Sequence, residues 1–167
     1  FHNFTPQENG YTHCAMEVIP KRSDIQNRHI LAIDYGTKFT GLSNYKVGVD
    51  PFIFLYGRVK YESDDKLIKE LKSIVEEEFI EILVVGIPRF TDGKESKMTR
   101  TVKTFAKKLS DEASIPVYFI DETLTTFEAE ERMKRDPRFN FQVDMKQIDA
   151  VAASIILEEF VNSSSDE

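Results

Sequence analysis

The sequence predicts an α/β fold with a mixed five-stranded sheet, in which an antiparallel meander is followed by parallel crossover strands and helices flank the sheet. Three observations predict it. Short apolar runs bounded by turn residues recur along the chain, the apolar period changes from that of strands to that of helices near residue 63, and the later apolar runs alternate with helical segments. A chain of 167 residues with 41% hydrophobic content suits one compact core.

The meander occupies the first part of the predicted domain. Its strands are predicted at residues 29–33, near 41–45 and at 52–60. The turns between them lie at residues 35–38 and 46–51, where glycine or proline redirects the backbone. Turns this short can join only antiparallel neighbours, so these strands are expected to pair in sequence order.

Two crossover units follow the meander. Ser63 is expected to cap a helix that leads into a short buried strand at residues 82–86. A second helix, from about residue 95 to 109, leads into a strand at residues 117–120. Because a helix separates each of these strands from the one before it, both are expected to run parallel in the sheet.

The last part of the chain is predicted to be helical, with one polar linker. Thr125 or Thr126 is expected to cap a short helix that ends near Lys134. A linker at residues 135–145 then leads to a final helix at about 147–161. These helices complete the layers that flank the sheet.

Residues 29–161 are therefore predicted to form the folded domain. Residues 1–28 show no defensible period and are expected to be an extension outside the core that could be flexible, with the stretch before Met16 as a candidate leader. The polar residues 162–167 are expected to form a disordered tail.

Composition and charge exclude several classes of protein. The net charge of −7 argues against a surface that binds nucleic acid indiscriminately, because such binding requires an excess of lysine and arginine. No apolar segment is long enough to span a membrane and the amino terminus lacks a secretory-signal pattern, so a soluble cytoplasmic protein with no membrane partner is expected. Cys14 is the single cysteine, which excludes an internal disulfide and a cysteine-based metal site.

The positions of the histidines exclude a further class of enzyme. None lies beyond the start of the first predicted strand: they are His2, His13 and His29. The predicted core thus holds no imidazole for a Ser/His/Asp or Cys/His arrangement, and hydrolases of that class are excluded.

Three acidic residues are the main candidates for function. Asp34 follows the first strand, Glu122 closes the strand at 117–120, and Asp149 opens the last helix. The carboxyl ends of strands face the edge where open α/β sheets bind their ligands. Asp149 is expected on the apolar face of its own helix, where a carboxylate must be paired or metal-bound.

The chemistry of three such carboxylates indicates a hard divalent cation. On one rim, their oxygen atoms would suit Mg²⁺ or Mn²⁺ rather than zinc, and such a site supports phosphodiester hydrolysis. Taken singly, each acid has an ordinary interpretation, Asp34 in a turn, Asp149 in the first turn of a helix and Glu122 on the surface. Their coincidence at one end of the sheet favours the catalytic interpretation.

Two groups of basic residues are candidate nucleic-acid contacts. One group lies on a single face of the helix at about 95–109: Lys97, Arg100, Lys103 and Lys107. The simpler interpretation of that face is a solvated surface. The other group lies in the polar linker, where Arg135 and Arg138 accompany Phe139 and Phe141. Those two rings could stack on bases or pack on the core.

Four motifs, in this order, resemble those of one protein family. They lie at residues 32–38, at 84–88 with 92–93, at 121–126 and at 148–153, and they read AIDYGTK, VVGIP with DG, DETLTT and IDAVAA. Over about residues 29–161 the chain resembles the YqgF (RuvX) family, which has an RNase H-like fold. Its members are regarded as pre-16S rRNA nucleases or as Holliday junction resolvase-like proteins.

The resemblance implies an RNase H-like nuclease domain in which Asp34, Glu122 and Asp149 are catalytic and bind Mg²⁺ or Mn²⁺. Asp121 is the alternative to Glu122 if the strand register differs. The implied activity is metal-dependent hydrolysis of structured RNA, at the 5′ end of the 16S rRNA precursor, and cleavage of a DNA junction is the nearest alternative. A symmetric junction would call for a dimer, whereas the sequence shows no evident dimer seam, so a monomer or weak homodimer is expected.

Two positions depart from the family pattern. Phe39 and Thr123 stand where the family usually has arginine, a residue suited to bidentate phosphate contact. Lys38, Arg89 or Arg100 could supply the missing positive charge. The departures also support an alternative in which the domain binds nucleic acid without cutting it.

A third interpretation starts from residues 34–37, which also look like the phosphate loop of actin and sugar-kinase ATPases. Those enzymes close a nucleotide between two related units, and a chain of 167 residues has room for one. ATP hydrolysis therefore ranks below the other two interpretations.

Overall fold

Five strands form one sheet in the computed structural model, which describes residues 20–89, 94–122 and 125–164. The strands are β1 (His29–Asp34), β2 (Phe39–Lys46), β3 (Phe54–Lys60), β4 (Ile82–Pro88) and β5 (Val117–Glu122). Their order across the sheet is β3-β2-β1-β4-β5. The pairs β1–β2 and β2–β3 are antiparallel, and the pairs β1–β4 and β4–β5 are parallel. The predicted mixed sheet, a meander followed by parallel crossover strands, is confirmed.

Helices cover both faces of the sheet. They are α1 (Arg22–Ile25), α2 (Asp64–Glu77), α3 (Lys97–Ala113), α4 (Thr125–Lys134) and α5 (Ile148–Ser163), with a short 3-10 helix at Pro137–Phe139. Helices α2 and α3 pack on one face, α5 packs on the other, and α4 packs on α5. Within the described ranges, no helix is both long and apolar enough to cross a membrane.

The alternation of side chains along β1 separates two core clusters. Leu31 and Ile33 belong to the cluster beneath α2 and α3. Ile30 and Ala32 belong to the cluster beneath α5, on the side of the sheet that we call the α5 face. The central strand is thus buried on both sides, as its continuous apolar sequence predicts.

The first long helix begins at its predicted cap, whereas the second is displaced from its predicted bounds. Ser63 Oγ accepts a hydrogen bond from the backbone N–H of Lys66 at 3.2 Å, which starts α2. Helix α3 begins after Ser96, which forms a capping box, and continues to Ala113, beyond the predicted end at residue 109. It ends there because Ser114 adopts the left-handed conformation that stops a helix.

Residues 20–28 belong to the folded part, contrary to the expectation that everything before residue 29 lies outside the core. Ile25 in α1 is fully buried on the α5 face. Arg22 donates hydrogen bonds to Ser164 Oγ at 2.7 Å and to the Val161 carbonyl at 3.0 Å. A helix of four residues is too short to show a hydrophobic period, so the sequence pattern could not reveal it.

The other end of the chain also extends the folded part. Helix α5 runs to Ser163, and Ser164 is buried, so the expected tail does not begin at residue 162. Residues 1–19, 90–93, 123–124 and 165–167 lie outside the described residues. The expectations for Cys14, His2, His13 and Thr123 fall there.

Candidate active site

Asp34 is the last residue of β1, the central strand, and lies on the α5 face. It continues the alternation of Ile30 and Ala32, whose side chains pack beneath α5. Across the β1–β2 pair, its partner is Gly41. Asp34 is partly buried, at the carboxyl end of the strand, which is the edge that the sequence indicated.

Asp149 reaches the same place from the first turn of α5. A methyl group at Gly41 would overlap the backbone carbonyl of Asp149 and lie 2.9 Å from its Cβ, so the start of the helix rests directly on this glycine. Ser43, two residues along β2, donates a hydrogen bond to the Ala150 carbonyl at 2.7 Å. These contacts fix the start of α5 over β2 and place Asp149 beside Asp34.

Glu122 approaches from the other side of Asp34. It is the last residue of β5 and is 8% exposed. Gly86 of β4 lies between them: a methyl group there would be 3.2 Å from Glu122 Cγ and 3.0 Å from Ile156 Cγ1 of α5. Because β4 pairs with both β1 and β5, Asp34 and Glu122 flank this glycine on the α5 face.

Asp121, the alternative to Glu122, projects from the opposite face of β5. Its side chain is 65% exposed and accepts a hydrogen bond from Arg89 Nε at 2.5 Å. The sequence left the choice open because the strand was expected to end at residue 120, whereas β5 includes Glu122. Once the strand end is known, alternation shows that Glu122 shares a face with Asp34 and that Asp121 does not.

The three carboxylates are close enough for their charges to interact. Burial, followed by the negative charges of Glu122 and Asp149, raises the pKa of Asp34 well above its usual range. Burial also raises the pKa of Asp149, and the positive charge of Arg58 partly offsets this effect. The site therefore concentrates negative charge in a poorly solvated place.

Comparison with known proteins assigns the chain to a family. A family model described as a Holliday junction resolvase, RuvX, matches residues 28–163. The chain belongs to the RuvX family. The resemblance inferred from the four motifs is thereby confirmed, and the matched range contains all three acids.

Relatives of this RuvX family member include proteins named as candidate pre-16S rRNA nucleases. The relative from Oleidesulfovibrio alaskensis is 37% identical over 136 residues, which cover 81% of this chain and 93% of the relative. The relative from Nitratidesulfovibrio vulgaris is 35% identical over 132 residues, which cover 79% of this chain and 92% of the relative. The similarity thus spans almost the whole length of both relatives.

Solved structures with a similar fold include two resolvases in complex with Holliday junctions. RuvC of T. thermophilus with its junction substrate has a TM-score of 0.55 and 14% identity, and the match covers 83% of this chain and 98% of that one. The fowlpox virus resolvase with junction DNA has a TM-score of 0.52 and 10% identity, with 81% and 97% covered. At these identities the likeness shows the fold alone, and it confirms the predicted RNase H-like fold.

The three acids of this RuvX family member have the type of donor atom that a divalent cation prefers, although their side chains are not close enough together to enclose one. Among the described residues, no three Asp, Glu, His or Cys side chains stand close enough together to hold a metal ion. Their donors are carboxylate oxygens, which hard cations prefer, and a cation would offset the burial and the repulsion that raise the pKa of Asp34. Asp34, Glu122 and Asp149 could therefore hold an ion if their side chains draw closer together.

A hydrogen-bonded group holds the turn that follows Asp34. The hydroxyl groups of Tyr35 and Tyr61 both donate to Asp64 Oδ1, each at 2.8 Å. Tyr35 is buried, and its ring centroid lies 4.6 Å from that of Phe105 in α3. Because Asp64 begins α2, this group ties the residue next to Asp34 to both helices of the opposite face.

Removal of the shared acceptor is expected to destabilise the domain. Asp64→Ala leaves two tyrosine hydroxyls without it, which is expected to lower the free energy of unfolding by about 1–3 kcal/mol. Asp65→Ala is the matched control, because Asp65 is the next residue of α2 and its ion pair with Lys108 lies on the surface, where little stability is at stake. Urea denaturation measures both variants, and equal losses would contradict the role given to Asp64.

Two of the four residues on the basic face of α3 pair with acids: Lys103 with Glu95 at 2.5 Å and Lys107 with Asp111 at 3.4 Å. Arg89, which follows β4, lies 3.6 Å from the same Glu95 carboxylate. Lys97 and Arg100 are exposed. The solvated-surface interpretation therefore fits the paired residues, and Lys97 and Arg100 stay candidates for nucleic-acid contact.

The other basic candidates lie around α4 and in the turn after β1. Lys38 and Arg135 are exposed, and Arg138 forms an ion pair at 2.7 Å with the acid two residues before it. Phe139 packs against the cluster between α4 and α5, whereas Phe141 is 58% exposed. The ring of Phe139 thus packs on the core, and the ring of Phe141 is accessible to a base.

Arg58 is a neighbour of the site that sequence reasoning did not single out. It lies on β3, pairs with Gly41, and influences the pKa of Asp149. The face of the sheet on which the Arg58 side chain lies depends on an irregularity in the β2–β3 register between Leu42 and Ser43. Alternation along the sequence could therefore not assign that face. The available signal was an arginine within the third strand of the predicted meander.

Proposed function

We propose that this RuvX family member is a metal-dependent endonuclease that hydrolyses phosphodiester bonds in structured RNA and matures the 5′ end of the 16S rRNA precursor. One observation carries the proposal. Three carboxylates from separate elements, Asp34, Glu122 and Asp149, lie at one edge of the sheet, and burial together with the charges of the outer two raises the pKa of the central one. The names of the two bacterial relatives support the choice of substrate.

The three acids would hold Mg²⁺ or Mn²⁺, with Asp34 between the other two. A bound ion of this kind lowers the pKa of an attacking water and offsets negative charge in the transition state. Gly41 and Gly86 allow α5 and β5 to approach Asp34 closely. Arg58 favours the ionised form of Asp149, which is the form that binds a cation.

Six basic residues are proposed to contact the nucleic-acid backbone. They are Lys38, Arg89, Lys97, Arg100, Arg135 and Arg138. Because the whole chain carries a net charge of −7, binding is expected to depend on such local groups rather than on the overall field. Lys38 is four residues from Asp34 in sequence, which makes it the candidate most closely tied to the acids.

A DNA four-way junction is the second candidate substrate. The description of the matching family model, Holliday junction resolvase, supports it. A symmetric junction requires two cuts at related positions, which calls for two copies of the chain. A DNA junction as substrate therefore predicts a dimer during turnover, whereas an RNA substrate does not require one.

Cleavage of two labelled substrates tests the proposal: a 16S rRNA precursor fragment and a four-way DNA junction, each with Mg²⁺ or Mn²⁺. We expect the RNA to be cut and the cutting to stop when the cation is chelated. Cleavage of the junction alone, by a species that sediments as a dimer, would move the substrate to DNA. Binding of either substrate without cleavage in any divalent cation would replace the nuclease with a binding module.

A further inference from the structure

Arg58 is an exposed cation on the rim of the candidate active site. It lies in β3, an edge strand of the sheet, and pairs with Gly41 of β2. Gly41 in turn rests against Asp149. Although its charge influences Asp149, Arg58 forms no ion pair with any acid in the described part of the chain. Among the described residues, no carboxylate therefore occupies the N–H donors of this guanidinium.

The guanidinium of Arg58 lies over an aromatic ring. Its Cζ lies 3.7 Å from the centroid of Phe39, which is within the range of a cation–π interaction. Nη1 donates to the Met145 carbonyl at 3.3 Å, and this is its one hydrogen bond to the residues that the structure describes. A ring contact at Cζ leaves the N–H donors of the guanidinium available to another acceptor, apart from the one bonded to Met145.

A second cation stands next to Arg58. Lys60 pairs with Phe39 across β2 and β3, so it projects from the same face of β3 as Arg58, two residues away. Both side chains are exposed. A nucleic-acid strand carries a charged phosphate at every nucleotide, so a strand with one phosphodiester at the acids must place other phosphates nearby.

We propose that Arg58, held on Phe39, binds a backbone phosphate of the nucleic-acid substrate beside the phosphodiester at the acids. The inference rests on the proposed nuclease function and adds a substrate contact to it. The edge of a guanidinium offers two parallel N–H donors to one phosphate, a geometry that an ammonium group cannot reproduce. Lys60 adds a second charge with less directional demand. In the opposing interpretation, Arg58 acts on Asp149 alone and touches no substrate.

Three substitutions separate the contributions of the positive charge, the paired N–H donors of the guanidinium and the Phe39 ring. Binding of nucleic acid is measured in Ca²⁺ to keep the strand intact. Arg58→Ala is expected to weaken binding by about 10- to 100-fold, because a charge-assisted contact is lost. Arg58→Lys keeps the charge and is expected to lose less, as is Phe39→Leu, which removes the stacking surface. Arg28→Ala is the matched control, because Arg28 precedes β1 at the opposite end of the sheet and pairs with Glu81; it is expected to bind as the native chain does.

Neutralised phosphates provide the decisive measurement. In a short synthetic substrate, each backbone phosphate near the cut is replaced in turn by an uncharged methylphosphonate. For the native chain, one position is expected to weaken binding by about as much as Arg58→Ala does. At that position Arg58→Ala should lose nothing further, because its partner is already absent. The logarithm of the binding constant falls linearly with the logarithm of the salt concentration. The slope of this line should also become shallower by about 0.7–0.9 in Arg58→Ala.

The outcomes separate this inference from the proposed function. If each neutralised phosphate weakens binding by the same factor in the native chain and in Arg58→Ala, the phosphate contact is overturned. The nuclease function would still stand. A native chain that neither binds nor cuts nucleic acid would overturn both. Thermal unfolding in chelator checks that each variant is folded. If Arg58→Ala is not, the comparison of Arg58→Lys with the native chain on the same substrates decides the question.

Discussion

Asp34→Asn is expected to abolish metal-dependent cleavage and, at the same time, to stabilise the metal-free protein at neutral pH. Asparagine keeps the size of the side chain and removes the charge that would hold the cation. A metal ion contributes several kcal/mol of transition-state stabilisation, so its loss is expected to lower kcat/KM by about 10³-fold or more. In the folded protein that charge is poorly solvated and is repelled by Glu122 and Asp149, so its removal relieves an unfavourable interaction.

The pH dependence of this stabilisation follows from the raised pKa of Asp34. The folded state binds the proton of this carboxyl more tightly than the unfolded state, in which the pKa is about 4. The free energy of unfolding of the metal-free native chain therefore falls as the pH rises from about 4 through the raised pKa. The free energy of unfolding of Asp34→Asn does not fall in this way. Its excess over that of the native chain is therefore expected to grow over this interval and to vanish at lower pH.

Thermal unfolding in chelator between about pH 4 and pH 8 measures the effect, and 1 kcal/mol corresponds to about 2–4 °C for a domain of this size. Asp111→Asn is the matched control, because Asp111 lies on the exposed side of α3 in an ion pair with Lys107. Mg²⁺ is expected to raise the Tm of the native chain and not that of Asp34→Asn. If the native chain proved more stable than Asp34→Asn at pH 8 in chelator, the proposed repulsion around Asp34 would be wrong.

Gly41→Ala is expected to damage both stability and activity. The added methyl group would overlap the backbone carbonyl of Asp149, and a backbone in the first turn of a helix cannot move aside as a side chain can. Overpacking of this kind typically costs about 1–3 kcal/mol, and more where an element must shift, out of a total stability of about 5–15 kcal/mol. Displacement of α5 would also carry Asp149 away from Asp34, so the fraction that still folds is expected to cleave poorly.

Gly86→Ala is the matched comparison for that substitution. Gly86 is also a sheet glycine on the α5 face, but a methyl group there would meet the side chain of Ile156 and, at 3.2 Å, Glu122 Cγ. Side-chain atoms can adjust by changing rotamer, so the loss of stability is expected to be smaller than for Gly41→Ala. Urea denaturation ranks the two variants. Equal stability would mean that α5 does not rest on β2 as closely as described.

The edge of the sheet that carries the acids could be predicted from the sequence, because strong apolar runs end or begin at each of them. Asp34 closes the first run and Asp149 opens the helix whose buried face it shares. The choice between Asp121 and Glu122 could not be made in the same way. It depends on where β5 ends, and the ends of strands are weakly encoded because the last residues of a strand need not be apolar.

The place of Arg58 could not be predicted, because it depends on the register shift at Leu42 and Ser43. Leu55 and Arg58 are three residues apart on β3, and both lie on the side of α5, which uninterrupted alternation does not allow. The departure at Phe39 was visible in the sequence. Its structural meaning was not, since the ring carries the guanidinium of a residue from the neighbouring strand.

The hydrogen bonds from Arg22 to Ser164 and Val161 bring the two ends of the described chain together. Helix α5 spans 16 residues between the acids and this meeting point, which amounts to roughly 20–25 Å at the rise of an α-helix. A fluorophore or an affinity handle attached at Ser23 or Ser163, both exposed, would thus lie at the pole opposite the acids. Molecules tethered to a glass surface through either residue would present the acids to the solution, so that encounters with single nucleic-acid strands could be watched without obstruction by the support.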